Sequence, residues 1–240
     1  MSKPIIDVPA LQLESRFSLP PNSLGYCGKD TAPEKFKACI ISGECDGVEE
    51  EVAHFIVLHP YLKTLASIFD LPKLSYPVVE GYWIGNDYLK MAKAEHYDLL
   101  LKNFLAQGVP AWLVDELKQR RPKIFIPSHL FQVLHVGVGR ASGAVPCNLD
   151  SMNNCMIRWG KVEKIVGGDA VINLNSLKKE SNKHTLTVLK ETVPFNSDLA
   201  PGLKTGDTVA VHWKQVIKIL TPPEEKNLSF WTNQVLSSLV

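Results

Sequence analysis

Cys155-Met-Ile-Arg-Trp-Gly-Lys-Val-Glu-Lys-Ile-Val-Gly-Gly-Asp-Ala-Val-Ile-Asn-Leu174 decides the fold of the second half of this chain. β-Branched and other apolar residues crowd two runs, Met156–Val166 and Ala170–Leu174, and Gly167-Gly-Asp169 between them supplies a tight turn. That combination predicts a β-hairpin. Downstream, Thr185–Thr192, Thr208–Trp213 and Gln215–Leu220 read as further strands. Pro222-Pro223 ends the β-region, and Leu228–Leu239 reads as a closing helix. Short strands at this spacing predict a small β-barrel.

Upstream the pattern is helical. Residues 1–32 are rich in Pro, Gly and Ser and read as a structured arm. Thr31 is placed to cap a helix that carries Phe36, Cys39 and Ile40 on one face and stops at Gly43. Glu49, Glu50 and Glu51 suit the positive end of a second helix, with Val52, Phe55, Ile56 and Leu58 as its buried stripe. His59-Pro60 reads as its break, with helix resuming over Tyr61–Phe69. Asp87–Gln107 is the longest helical run, followed by Trp112–Gln119 and a turn capped by Ser128. The composition changes at His135-Val-Gly-Val-Gly-Arg-Ala-Ser-Gly-Ala-Val-Pro-Cys147, a connecting loop. The expected class is α+β: a mainly helical unit over 1–145 with a Pro/Gly-rich N-terminal arm, then a small barrel with a C-terminal helix over 146–240.

With 26 basic against 25 acidic residues, the net charge of +1 argues against a broad nucleic-acid surface. The N-terminus lacks the apolar core of a signal peptide, and no apolar run reaches membrane-spanning length, so the chain is read as cytoplasmic. Five cysteines without an export signal point to free thiols or ligands, not to a disulfide framework.

Two residues carry the chemistry. Cys155 stands where the β-region opens, and His212 ends a late strand, Thr205-Gly-Asp-Thr-Val-Ala-Val-His212. A thiolate and an imidazole together suit iron, zinc or copper. Cys147, eight residues before Cys155, Cys27 between two glycines, and His135 form a second tier of metal candidates. Cys39 reads as core and Cys45 as a turn residue. His129, beside an apolar run, reads as a core histidine, and His54, His59 and His96 as structural. Gly137-Val-Gly-Arg-Ala-Ser-Gly143 lacks the Lys-Ser/Thr ending of a phosphate loop and reads as a packed connection. No nucleotide cofactor is expected.

Cys155-Met-Ile-Arg-Trp-Gly-Lys-Val162, Gly206-Asp-Thr-Val-Ala-Val-His212, the strand Val216-Ile-Lys-Ile-Leu220 and the acidic Glu224-Glu225 occur in that order. In this respect the C-terminal part resembles the HypC/HupF hydrogenase maturation chaperones. The resemblance implies an OB-like barrel, iron held by Cys155 and His212, and a protein partner: a metallocofactor scaffold or a client enzyme. The chain departs from that family in setting Cys155 behind a helical region and in carrying Trp159 where the family has proline. For the N-terminal part the sequence suggests only an uncharacterised helical domain of a two-part family.

Three functions are therefore carried forward. The first is a non-enzymatic metallochaperone or maturation factor, with iron favoured over zinc. The second is a thiol-dependent enzyme between the helical region and the barrel, with Cys155 as nucleophile, His212 or His135 as base and Arg140 as anion anchor. The third is a peptide- or nucleic-acid-binding OB-like module using Trp159 and Trp213.

Overall fold

The computed structural model describes residues 7–181 and 183–239. Helices come first: α1 (Val8–Ser23), α2 (Ala32–Ser42), α3 (Val48–Val52), α4 (Leu58–Phe69), α5 (Tyr76–Trp83), α6 (His96–Gln107), α7 (Ala111–Gln119) and a short α8 (His129–Phe131) that widens into a π-turn over Gln132–Gly137. A helix α9 (Leu149–Cys155) leads into strands β1 (Arg158–Val166), β2 (Asp169–Glu180), β3 (Lys183–Pro194), β4 (Thr208–His212) and β5 (Gln215–Ile219). Helix α10 (Pro222–Ser238) follows.

The sheet is antiparallel throughout, in the order β3-β2-β1-β4-β5. Gly167-Gly168 turns β1 into β2, and Ala170, Ile172 and Leu174 alternate inward along β2 as period-2 patterning requires. Gly160 sits where a Cβ would lie 2.0 Å from the Asn173 carbonyl oxygen, so strand pairing there excludes any side chain. The expected barrel is not closed. The sheet is open, and its two ends meet only at one isolated bridge, Phe195 to Val216. β2 and β3 pair over twelve residues each, longer than the short strands that the sequence suggested. They run past the point where a small barrel would curl shut.

Several helical expectations also change. The N-terminal arm is a buried helix over its described part; residues 1–6 of that arm lie outside the described residues. In α1, Leu11, Leu13, Phe17 and Leu19 are all buried, and Pro20 and Pro21 fall in its last turns. His59-Pro60 does not break a helix but lies in the first turn of α4, where a missing proline N–H costs nothing. The long run Asp87–Gln107 is divided into a 3₁₀ turn over Asp87–Met91 and α6. Cys39 and Cys45 are joined as a disulfide that ties the end of α2 to the start of α3, against the expectation of free thiols. Gly43, in the left-handed region at the end of α2, turns the chain back between the two cysteines.

One apolar core runs through both halves. Phe17 and Leu19 of α1, Trp83 of α5, Phe131, Met156 and Ile157, Ala210 of β4, Ile217 of β5 and Trp231 of α10 belong to it. A smaller core of Val162, Ile172, Leu174, Val209 and Val211 fills the sheet's own concavity.

Candidate metal centre

Each of three buried side chains is delivered by a different local device. Cys155 ends α9, which begins with a reciprocal cap: the Asn148 side chain accepts from the Ser151 N–H, and the Ser151 hydroxyl accepts from the Asn148 N–H. The Asn153 side chain clamps the helix to β2, accepting from the Leu177 N–H at 2.7 Å and donating to the Leu177 carbonyl at 3.0 Å. His129 opens α8 behind the capping residue Ser128.

His212 ends β4 at a two-residue turn, Trp213-Lys214, before β5. Both turn residues have positive φ, 47° and 59°. A turn of the I′ kind normally uses Asn or Gly there, and holding two other residues in it costs about 1–3 kcal/mol each. The Trp213 N–H donates to the Asn154 carbonyl at 2.7 Å. That single bond fastens the end of β4 to the residue before Cys155, bringing His212 beside the thiol.

One nitrogen from each of His129 and His212 and the sulfur of Cys155 lie within 4.8 Å of one another, and all three residues are buried. His129 is 4% exposed, Cys155 8% and His212 1%. The Cys155 Sγ is 3.8 Å from His129 Nε2. A tetrahedral ion with ordinary zinc–sulfur and zinc–nitrogen distances would set these two atoms about 3.5 Å apart, so this pair stands close to ligating separation.

His212 is poised as a ligand. Its Nδ1–H donates to the Phe17 carbonyl at 2.7 Å, which leaves Nε2 as the bare nitrogen. That Nε2 is buried without a hydrogen-bond partner. The Phe17 carbonyl is available for a sequence reason: its partner within α1 would be the N–H four residues on, and that residue is Pro21, which has none. His129 is held from both sides. Its Nδ1 lies 3.0 Å from the Tyr82 hydroxyl, itself bonded to Gln132, and its Nε2 lies 2.7 Å from the Cys155 carbonyl. Nε2–H donates to the Cys155 carbonyl, the Tyr82 proton goes to Gln132, and burial keeps the ring neutral. To ligate through Nε2 as a neutral imidazole, the ring would move its proton from Nε2 to Nδ1, where the Tyr82 oxygen can accept it.

The electrostatics favour neutral groups. Burial pushes His129 down to about 4 and His212 well below its ordinary value, the latter further lowered by His129 beside it. Burial also pushes the Cys155 thiol far up, and the nearby Cys27 adds to this. Trp83 packs along the cluster, its ring 4.4 Å from that of His129 and 5.0 Å from that of Phe17. The Trp83 indole N–H donates to the buried Glu14 at 2.8 Å.

A cavity of ≈ 420 Å³ adjoins the cluster, with Cys27, Tyr82, Trp83, Gln132 and Trp213 in its wall. Cys27 reaches it from the α1–α2 loop. Cys27 is exposed and lines the cavity. The Tyr26 ring lies 4.6 Å from Trp213, which pins this loop over the cavity. The remaining candidates are elsewhere. Cys147 is exposed and packs near Gly137 and Arg140. His135 is buried away from the cluster, with its Nε2 2.8 Å from the Tyr97 hydroxyl and its ring 4.7 Å from that of Phe131. Arg140 is bound through both nitrogens to Glu116 at 3.0 and 2.6 Å, so its charge is already matched. The glycine loop forms a lip of the cavity, packed so closely that a Cβ on Gly139 would meet the Val145 oxygen at 2.0 Å. Trp159 is buried, leaving it no face for a base to stack on.

His129 is the member of the cluster that sequence reading set aside as a core residue. It follows a helix cap and an apolar run, which marks a core histidine as readily as a ligand, and only the tertiary fold sets it against Cys155.

The fold and cluster define a mixed α+β protein with a buried His/Cys/His group at a cavity. Residues 9–239 match a family described as a family of unknown function (DUF6390), and the chain belongs to that family. No curated protein and no solved structure is significantly similar to it. Among the described residues, no helix is long and apolar enough to cross a membrane.

Proposed function

We propose that this protein binds one divalent transition-metal ion through His129, Cys155 and His212 and acts as a HypC-like metallochaperone or maturation factor, holding the ion for a protein partner. The observation that carries this reading is the His212 ring: fully buried, fixed at Nδ1 by a backbone carbonyl, and bare at Nε2 beside a thiol and a second neutral imidazole. Metal-binding histidines are oriented in this way by the hydrogen bond at their other nitrogen. One thiolate and two neutral imidazoles suit iron, zinc and copper, and three protein ligands leave a position for a further group. The ordered matches around Cys155 and His212 favour iron, and they favour a barrel-derived sheet as the scaffold. Metal binding would take the proton from Cys155, whose thiol is otherwise held neutral.

The cavity wall favours a carrier over a thiol enzyme. A cysteine nucleophile needs a cation, an activated base or a helix N-terminus to become a thiolate. Cys155 has instead two imidazoles that burial keeps uncharged, and it stands at the C-terminal end of its helix.

The test is anaerobic loading of the chelator-stripped full chain with Fe(II) or Zn(II), with bound metal measured after desalting. One ion per chain is expected, lost in Cys155→Ser and in His212→Ala. No uptake, or uptake unchanged in both variants, would overturn the proposal.

A further inference from the structure

The cavity beside the cluster restricts what else can bind there. Among the described residues that line it there is no Asp, Glu, Lys or Arg. Phe55, Ile56, Val57, Leu58 and Val138 form much of its wall, and its ≈ 420 Å³ is at the small end for ligand pockets. A divalent ion on one thiolate and two neutral imidazoles keeps a single uncancelled positive charge. Buried charge without a partner is costly; the described lining supplies no carboxylate to meet it, and the buried Glu14 is already engaged by hydrogen bonds from Ser18 and the Trp83 indole. The Trp213 indole N–H, on the cavity wall and shut off from solvent, has no hydrogen-bond partner.

Resting on the metal reading above, we propose that the cavity admits a small monoanion with an apolar body as an additional ligand at the cluster. One negative charge balances the centre, and the apolar body covers the Phe55–Leu58 wall. A phosphate-like polyanion would overbalance the charge and meet no lysine or arginine. Alkyl thiolates satisfy both requirements and match the softness of a cysteine-bound ion.

The test uses the full chain loaded anaerobically with Co(II). A sulfur-to-cobalt charge-transfer band lost in Cys155→Ser reports the metal reading by itself. Azide, methanethiol, ethanethiol, 1-propanethiol and phosphate are then titrated against the cobalt bands, with retained metal measured after desalting. Azide and the thiols are expected to shift the bands, and the thiols to tighten about fourfold for each added methylene as apolar surface is buried. Phosphate is expected to leave the bands unmoved. If the charge-transfer band is present but azide and thiols shift nothing, or phosphate shifts the bands as strongly, the ligand inference is overturned while the metal reading stands. Thiols that bind with no dependence on chain length overturn the apolar half of it. If the band never forms, both readings fall together.

Discussion

Glu14 is the costliest side chain near the candidate centre. It is buried without a cationic partner, and its carboxyl is pushed up to about 7 by burial, against the opposing pull of its bonds from Ser18 and Trp83. Between its ordinary value of 4.5 and about 7 the folded chain keeps a proton that the unfolded chain releases. Stability therefore falls as pH rises through that window, by about 3 kcal/mol once it is complete. His129 acts in the opposite sense. The unfolded ring takes up a proton below its ordinary 6.5, while the folded ring stays neutral down to about 4, so stability is lost as pH falls across that range. Between about pH 4.5 and 6.5 the two effects oppose one another, so comparing the chain with a variant, not its melting curve alone, separates them. Glu14→Gln should remove the alkaline loss, raising the melting temperature at pH 8 far more than at pH 5, and leave the acid limb in place. An alkaline limb unchanged in that variant would show that Glu14 is not its origin.

Among the elements, α1 shows why part of the site was hidden in the sequence. Pro20 and Pro21 made the arm look like a loop, yet the buried stripe of Leu11, Leu13 and Phe17 holds the helix, and Pro21 frees the carbonyl that orients His212. The Gly167-Gly-Asp169 turn and the alternation in β2 were legible because a hairpin is a local, period-2 object. The Cys39–Cys45 link and the place of His129 were not, because each depends on where a turn or a distant helix brings the chain. Cys155 and His212 could be named from their positions in the strand pattern; their closeness depends on the pairing of β1 with β4, extended by the Trp213 bond to Asn154, neither of which a local pattern encodes. Pro21→Ala tests the device in α1. It offers Phe17 an N–H partner inside the helix, which competes with His212. Zinc affinity should fall roughly tenfold, the scale at which outer hydrogen bonds tune metal ligands, while the melting temperature of the metal-free chain holds or rises. Unchanged affinity in a folded variant would refute the role given to Pro21.

At the scale of the molecule, the helices and the sheet share one core, and the family match spans 9–239 as a single stretch. α10 contributes to that unity. The Trp231 side chain lies against Gly85, where a Cβ would come within 2.3 Å of the indole, and Gly85 has a φ of +90°. Gly85→Ala should therefore dislodge α10 and destabilise the whole chain by several kcal/mol, read as a lower denaturant midpoint in one cooperative transition. Two separated transitions, with only the second shifted, would mean that helices and sheet unfold independently.

X-ray absorption at the metal edge of the Zn(II)- or Fe(II)-loaded full chain reads directly whether His129, Cys155 and His212 hold one ion together. One sulfur at about 2.3 Å and two imidazole nitrogens at about 2.0–2.1 Å are expected, with the sulfur absent in Cys155→Ser and one imidazole absent in His212→Ala. A shell of oxygen and nitrogen without sulfur, or a sulfur that persists in Cys155→Ser, would contradict this shared ligation.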